Sequence, residues 1–93
     1  MPPRILIIDD DSSLRRVLEY NLQQEGYSVF TAANGEDGLR LFAEKEPAVV
    51  ITDLKMPGIS GFQVLSAVKE KAPATVVIVL TAFGAIDTAV EAM

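Results

Sequence analysis

Three aspartates and one threonine follow short apolar runs of the chain, at positions where the strands of a parallel sheet would end. Asp9 and Asp10 follow the first run, Asp53 follows the third, and Thr81 follows the fourth. Ligands of open α/β sheets bind at the carboxyl ends of strands, so these side chains would converge if the three strands are neighbours. Clustered carboxylates raise one another's pKa, and a hard divalent cation relieves their repulsion. The pattern therefore predicts an acidic Mg²⁺ site.

The chemistry predicted for such a site is phosphoryl transfer. An aspartate beside the metal can act as a nucleophile and form an acyl phosphate. The metal offsets the charge of the incoming phosphoryl group and of its transition state. Thr81 is placed to donate a hydrogen bond to a phosphoryl oxygen. The loop at residues 54–61 contains one proline and two glycines, and its irregular turn can aim the backbone carbonyl of Lys55 at the metal.

Each of these residues also has a purely structural interpretation. An aspartate just after a strand often caps a helix or forms a turn, and we assign Asp11 to that role. Thr81 taken alone is more often structural, and residues 54–61 can form an ordinary loop between a strand and a helix. The joint placement favours a functional site, because caps do not need to meet in space.

The elements that would position the site alternate between strands and helices. Apolar runs without polar alternation predict buried strands at residues 5–8, 49–51 and 76–80. The mixed segment 27–32 predicts an edge strand. Apolar residues at helical spacing predict four helices. They include residues 14–22, the pair Leu39 and Phe42, residues 62–68, and residues 86–93 after Gly84.

The order βαβαβαβα predicts one α/β domain at residues 1–93, with a doubly wound parallel sheet between helices. The chain stops in the middle of the fourth helical pattern, so we expect a domain that is incomplete at its C-terminus. Residues 76–80 would then form an exposed apolar edge, and such edges pair with other chains. This predicts a dimer through that edge or through the fourth helix.

Composition excludes several classes of function. The 8 basic and 13 acidic residues give a net charge of −5, which argues against direct nucleic-acid binding by this segment. The absence of cysteine and histidine removes thiol nucleophiles and most Ser-His and zinc chemistry. No apolar stretch is long enough for a membrane span or a signal-peptide core, so we expect a cytoplasmic protein.

Three segments resemble the signatures of response-regulator receiver domains, the CheY-like superfamily with a flavodoxin-like sheet. They are ILIIDDD at 5–11, VVITDLKMPGISG at 49–61 and VLTA at 79–82. The resemblance runs from about residue 4 to residue 93. Members of the family continue into a fifth strand, which supplies a lysine to the phosphoryl group, and a fifth helix. We expect both to be missing from this chain.

The resemblance implies a role for each residue of the site. Asp53 would be the phosphoacceptor, and Thr81 would be the switch hydroxyl. Asp10 and Asp53 would bind Mg²⁺ directly, Asp9 would bind it through water, and the Lys55 carbonyl would supply a further ligand. The activity implied is Mg²⁺-dependent self-phosphorylation on aspartate and not turnover as an enzyme.

The resemblance also implies partners. Receiver domains take the phosphoryl group from a phosphohistidine on a sensor histidine kinase, so the resemblance implies that this chain is a two-component signalling protein. Residues 81–93 look like those of NtrC-like enhancer-binding activators, which join a receiver to an ATPase and a DNA-binding domain. We therefore expect control of transcription through an output domain outside this chain.

Two alternatives remain open from the sequence. The segment 5–11 also resembles the opening of haloacid-dehalogenase-like phosphatases, in which Asp9 would be the nucleophile. That interpretation leaves Asp53 and its loop unexplained, and the later lysine and acidic pair of those enzymes are missing. The second alternative is a pseudo-receiver, an interaction module that is never phosphorylated. Such modules usually lose the acceptor or the acidic pair, and here all three aspartates are present.

Overall fold

The structure, a computed structural model, describes residues 2–80 and the backbone of residues 86–88. Its elements are β1 (Arg4–Ile8), α1 (Ser12–Gln24), β2 (Ser28–Ala32), α2 (Gly35–Lys45), β3 (Val49–Asp53), α3 (Gly61–Lys71), β4 (Val76–Leu80) and β5 (Ile86–Thr88). The sheet order is β2-β1-β3-β4-β5. The first four strands are parallel, and β5 is antiparallel to β4. The predicted doubly wound sheet is confirmed, with β2 at an edge.

Local signals in the sequence begin and end the first helix. The Asp11 carboxylate accepts hydrogen bonds from the backbone N–H groups of Ser13 and Leu14, at 3.0 and 3.2 Å. This satisfies two of the free donors at the start of α1 and confirms the predicted cap. Beyond the end of α1, Gly26 has a φ of +95°, a conformation that glycine adopts without steric cost.

The predicted fourth helix is wrong at Ile86–Thr88, which form the short strand β5. This strand pairs with β4 from Ile78 to Leu80. The free edge of β4 presents unpaired N–H and C=O groups that favour pairing, and isoleucine and threonine are β-branched residues suited to a strand. The edge is therefore covered over these residues, and association of two chains through it stays a prediction. Residues 89–93, which make up the rest of the predicted helix, lie outside the described residues, as do residues 81–85.

Helices cover the sheet from two sides. The chain moves outward from β1 to β2 and then returns across the sheet to β3 and β4. Right-handed crossovers therefore place α1 on one face and α2 and α3 on the other. The main apolar core lies under α2 and α3. It contains Leu6, Ile8, Ala32, Phe42, Val50, Val64, Val68, Val77 and Val79. Of the helices in the described part of the chain, none is long and apolar enough to cross a membrane.

Candidate functional site

The carboxyl ends of β1 and β3 bring three carboxylates together. β1 and β3 are parallel neighbours, so the residues that follow Ile8 lie beside the end of β3. Asp9, Asp10 and Asp53 each offer a carboxylate oxygen, and these oxygens lie within 4.8 Å of one another. The convergence expected from the sequence is thus present for the aspartates. Thr81 lies outside the described residues.

Asp9 is fixed through its side chain and its main chain. Its side chain is buried, with 2% of the residue exposed, and its Oδ1 accepts a hydrogen bond from the Asp11 N–H at 2.8 Å. The Asp9 N–H donates to the Ala32 carbonyl at 3.1 Å. Nη1 of Arg15 donates to the Asp9 carbonyl at 2.7 Å. Asp9 therefore has little freedom to move relative to β1.

The surroundings of Asp9 oppose its negative charge. Burial is the largest cause that raises the pKa of the Asp9 carboxyl above its ordinary value. The hydrogen bond from Asp11 lowers that pKa, but the charges of Asp53, Asp10 and Asp11 raise it further. Three hard oxygen donors that repel one another match the preference of a hard divalent cation. The residues present therefore fit Mg²⁺.

Asp53 is held through its main chain between β4 and α3. It is the last residue of β3 and pairs with Leu80 in the register of β4. The next residue, Leu54, donates to the Leu80 carbonyl at 3.0 Å and accepts from the Gly61 N–H at 2.9 Å. The hydroxyl of the fully buried Thr52 donates to the Asp53 carbonyl at 3.1 Å. The side chain of Asp53 itself is only half-buried.

The loop between β3 and α3 begins at the acidic cluster and ends at a capped helix. Lys55 lies in this loop, two residues beyond Asp53, and is exposed. Gly58 has a φ of +82°, and a Cβ there would lie 3.0 Å from a carboxylate oxygen of Glu36. Ser60 and Gln63 form a reciprocal capping box at the start of α3. The metal-binding role of the Lys55 carbonyl, and the metal-binding and phosphoacceptor roles of the aspartates, stay predictions.

Three residues of the site were not identified from the sequence. Arg15 and Thr52 carried no signal in the sequence that pointed to the site. Gly61 was interpreted only as part of a turn. For Gly61 a signal existed, since glycine is a poor helix former placed at the first position of a helix. The contacts of Arg15 and Thr52 with carbonyl groups depend on the packed structure.

A cleft lies near the amino ends of the strands, away from the acidic cluster. It has a volume of about 420 Å³ and lies between the C-terminal ends of α2 and α3, and its lining includes Phe42, Pro47 and Lys71. Among the described residues that line it, Glu46 is the one carboxylate. This cleft does not offer the donor set found at the carboxyl edge.

The response regulator receiver domain family matches residues 5–93 of the chain. The chain belongs to this family, and it is a receiver domain of two-component response regulators. The doubly wound sheet and the acidic cluster at its carboxyl edge agree with that assignment.

Two regulators from Escherichia coli K12 illustrate the relationship. The transcriptional regulatory protein GlrR is 41% identical over 91 residues, which are 98% of this chain and 20% of GlrR. The DNA-binding transcriptional regulator NtrC is 40% identical over 88 residues, which are 95% of this chain and 19% of NtrC. The resemblance to NtrC-like regulators is confirmed for the receiver region. The chain spans about a fifth of the length of these relatives.

Solved structures confirm the CheY-like fold. The response regulator TrrA from Thermotoga maritima, in complex with Mg²⁺-BeF, superposes with a TM-score of 0.81 and 42% identity, over 86% of this chain and 70% of TrrA. TrrA in complex with the histidine kinase ThkA gives a TM-score of 0.81 and 41% identity, over 89% of this chain and 72% of the other.

Proposed function

We propose that this receiver domain accepts a phosphoryl group on Asp53, with Mg²⁺ held by Asp9, Asp10, Asp53 and the backbone carbonyl of Lys55. The observation that carries the proposal is the cluster of three carboxylates whose oxygens lie within 4.8 Å of one another. Mg²⁺ usually binds a few carboxylate oxygens together with phosphoryl oxygens and water. The Mg²⁺-BeF complex of TrrA supports the same metal for this chain.

Accessibility favours Asp53 over Asp9 as the nucleophile. Asp53 is half-buried at the end of its strand, so its carboxylate can reach a donor. Asp9 is 2% exposed, and its Oδ1 already accepts the N–H of Asp11. This difference argues against the haloacid-dehalogenase-like alternative, which needs Asp9 to attack. Asp9 is better suited to hold the metal.

The transfer involves one bond formed and one bond broken. A carboxylate oxygen of Asp53 attacks the phosphorus of a phosphohistidine, and the phosphorus–nitrogen bond breaks, leaving its electron pair on the imidazole. The product on this chain is an acyl phosphate. A bound Mg²⁺ supplies charge neutralisation for the phosphoryl oxygens. We propose that the Thr81 hydroxyl donates a hydrogen bond to one of those oxygens.

Partners of the full protein are inferred from the relatives. The complex of TrrA with a histidine kinase supports a sensor histidine kinase as the phosphoryl donor. The transcriptional regulatory protein GlrR and the DNA-binding transcriptional regulator NtrC support a DNA-binding output outside this chain, through which phosphorylation would control transcription. The ATPase domain implied by the NtrC-like resemblance stays a prediction. A cytoplasmic location and a dimeric state also remain predictions.

Chemical phosphorylation tests the assignment of Asp53. The chain is incubated with acetyl phosphate and Mg²⁺, and the adduct is located by mass spectrometry. We expect a single phosphoryl group on Asp53 that disappears in Asp53→Asn and when Mg²⁺ is chelated. Glu44→Gln serves as the control, because Glu44 is exposed on α2 and lies outside the acidic cluster. An adduct on Asp9 would instead establish the phosphatase-like alternative.

A further inference from the structure

Gly61 occupies a position where a side chain has no room. It is buried at the first residue of α3. A Cβ added there would lie 2.9 Å from the Cα of Leu54 and 3.1 Å from the carbonyl carbon of Asp53, and it would overlap the Asp53 carbonyl oxygen. Its φ is not among the positive values found at Gly26 and Gly58. Space, and not backbone conformation, therefore requires glycine at this position.

The close approach at Gly61 differs in kind from those of two other helical glycines. Gly35 is the first residue of α2, and its added Cβ would lie 3.0 Å from the Cβ of Ile59. At Gly38 the added Cβ would overlap the side chain of Ile8. In those two cases the nearest atom belongs to a side chain. At Gly61 it belongs to the main chain of the proposed phosphoacceptor.

That main chain cannot retreat without breaking hydrogen bonds. The Leu54 N–H donates to the Leu80 carbonyl, and the Leu54 carbonyl accepts from the Gly61 N–H. The end of β3 is thus held between β4 on one side and the first turn of α3 on the other. A displacement at Gly61 must therefore move the backbone that carries the Asp53 carboxylate.

We propose that Gly61 is a positioning residue of the phosphorylation site. By allowing α3 to begin directly against the Asp53 backbone, it sets the distance between the Asp53 carboxylate and the carboxylates of Asp9 and Asp10. This inference rests on the function proposed above. The inference extends that function by assigning a role in the chemistry to Gly61, a residue with no reactive group.

The expected consequence of a side chain at Gly61 is loss of site geometry with α3 retained. Alanine is a better helix former than glycine, so helix propensity does not explain any defect in Gly61→Ala. Misplacement of a reacting group by about 1 Å can reduce a rate by about a hundredfold. We expect an intermediate effect, about a tenfold loss in Mg²⁺ affinity and in the phosphorylation rate.

The experiment compares Gly61→Ala with Val68→Ala in the same helix. Val68 is fully buried in the core and two turns away from Gly61, so its truncation weakens folding without touching Asp53. Mg²⁺ affinity is measured by calorimetry, formation of the beryllofluoride adduct by fluorine NMR, and the phosphorylation rate with acetyl phosphate at saturating Mg²⁺. All three are recorded where circular dichroism shows each variant folded.

Loss of Mg²⁺ affinity, adduct and rate in Gly61→Ala but not in Val68→Ala would support the proposal. A folded Gly61→Ala protein with wild-type values would overturn it. If Gly61→Ala does not fold, Ser60→Ala decides the matter, since it removes the capping hydroxyl that accepts from Gln63 without adding bulk. A two- to threefold loss relative to the wild type would then support the proposal, and unchanged values would overturn it. Failure of the wild type to bind Mg²⁺ and accept a phosphoryl group would instead overturn the proposed function, and this inference with it.

Discussion

The two faces of β3 and β4 differ in how completely they are packed. On the face toward α2 and α3, the strand residues are at most 1% exposed; they are Val50, Thr52, Val77 and Val79. On the opposite face the strand residues are only half-buried; they include Val49, Ile51, Val76 and Ile78. The register of the parallel pairs keeps each set on one side. These strands are therefore fixed mainly from the side of α2 and α3.

The packed face is also the one that anchors the phosphoacceptor. Thr52 lies on this face, and its hydroxyl donates to the Asp53 carbonyl. Gly61, at the start of the helix that covers this face, contacts the Asp53 backbone. We therefore expect substitutions of the packed-face residues that contact the Asp53 backbone, Thr52 and Gly61, to affect both stability and Mg²⁺ affinity. Substitutions on the open face should affect neither strongly.

Neighbouring valines of β4 give the largest expected contrast. Val77 is fully buried, whereas Val76 is half-buried on the other face. Val77→Ala should lower the free energy of unfolding by about 2 kcal/mol, because it leaves a cavity in a packed core. Val76→Ala should lower it by less than about 1 kcal/mol. Urea unfolding followed by circular dichroism measures both, and equal losses would contradict the comparison.

Thr52→Val tests whether the packed face reaches the site. The substitution keeps the shape of the side chain but removes the hydroxyl that donates to the Asp53 carbonyl. We expect a loss of about 1 kcal/mol in the free energy of unfolding and a several-fold loss of Mg²⁺ affinity, measured by urea unfolding and calorimetry. Thr31→Val in the edge strand β2 is the control. Wild-type Mg²⁺ affinity in Thr52→Val would show that this hydrogen bond does not position Asp53.

The sequence predicted the site better than it predicted the edge of the sheet. The ends of β1 and β3 could be located because an apolar run stops at an aspartate, and the sheet order of the fold then places Asp9 beside Asp53. The segment Ile86–Thr88 could not be placed, because its local helical pattern competes with the free edge of β4. That competition is decided by pairing across the sheet and not by the segment itself.

Contacts that depend on tertiary packing were also invisible in the sequence. Lys69, in the last turn of α3, would be expected to extend into solvent, yet it is 6% exposed. Its ammonium group donates to the carbonyls of Pro73 and Thr75, which replaces hydration of the charge by backbone acceptors. The contact of Gly61 with Asp53 is similar in origin, since it follows from the position of α3 on the sheet.

Asp9 provides the smallest expected effect and the one that depends on pH. β1 is buried on both faces, and Asp9 follows it directly, so burial raises the pKa of this carboxyl, and the charges of Asp53 and Asp10 raise it further. A raised pKa means that the folded chain holds the proton more tightly than the unfolded chain does. The resulting loss of stability is absent below the ordinary pKa of an aspartate and grows as the pH rises through the raised value.

Asp9→Asn should therefore slightly stabilise the metal-free protein at neutral pH, and its advantage should shrink as the pH falls. Asn can still accept the hydrogen bond from Asp11. Adding Mg²⁺ should reverse the order, because the metal stabilises the wild type and the variant lacks one of the three carboxylates. Thermal unfolding from pH 4 to pH 8, with and without Mg²⁺, measures this, with the exposed Glu44→Gln as control. If Asp9→Asn destabilised the metal-free protein at neutral pH, burial and charge repulsion would not outweigh the favourable contacts of the Asp9 carboxylate.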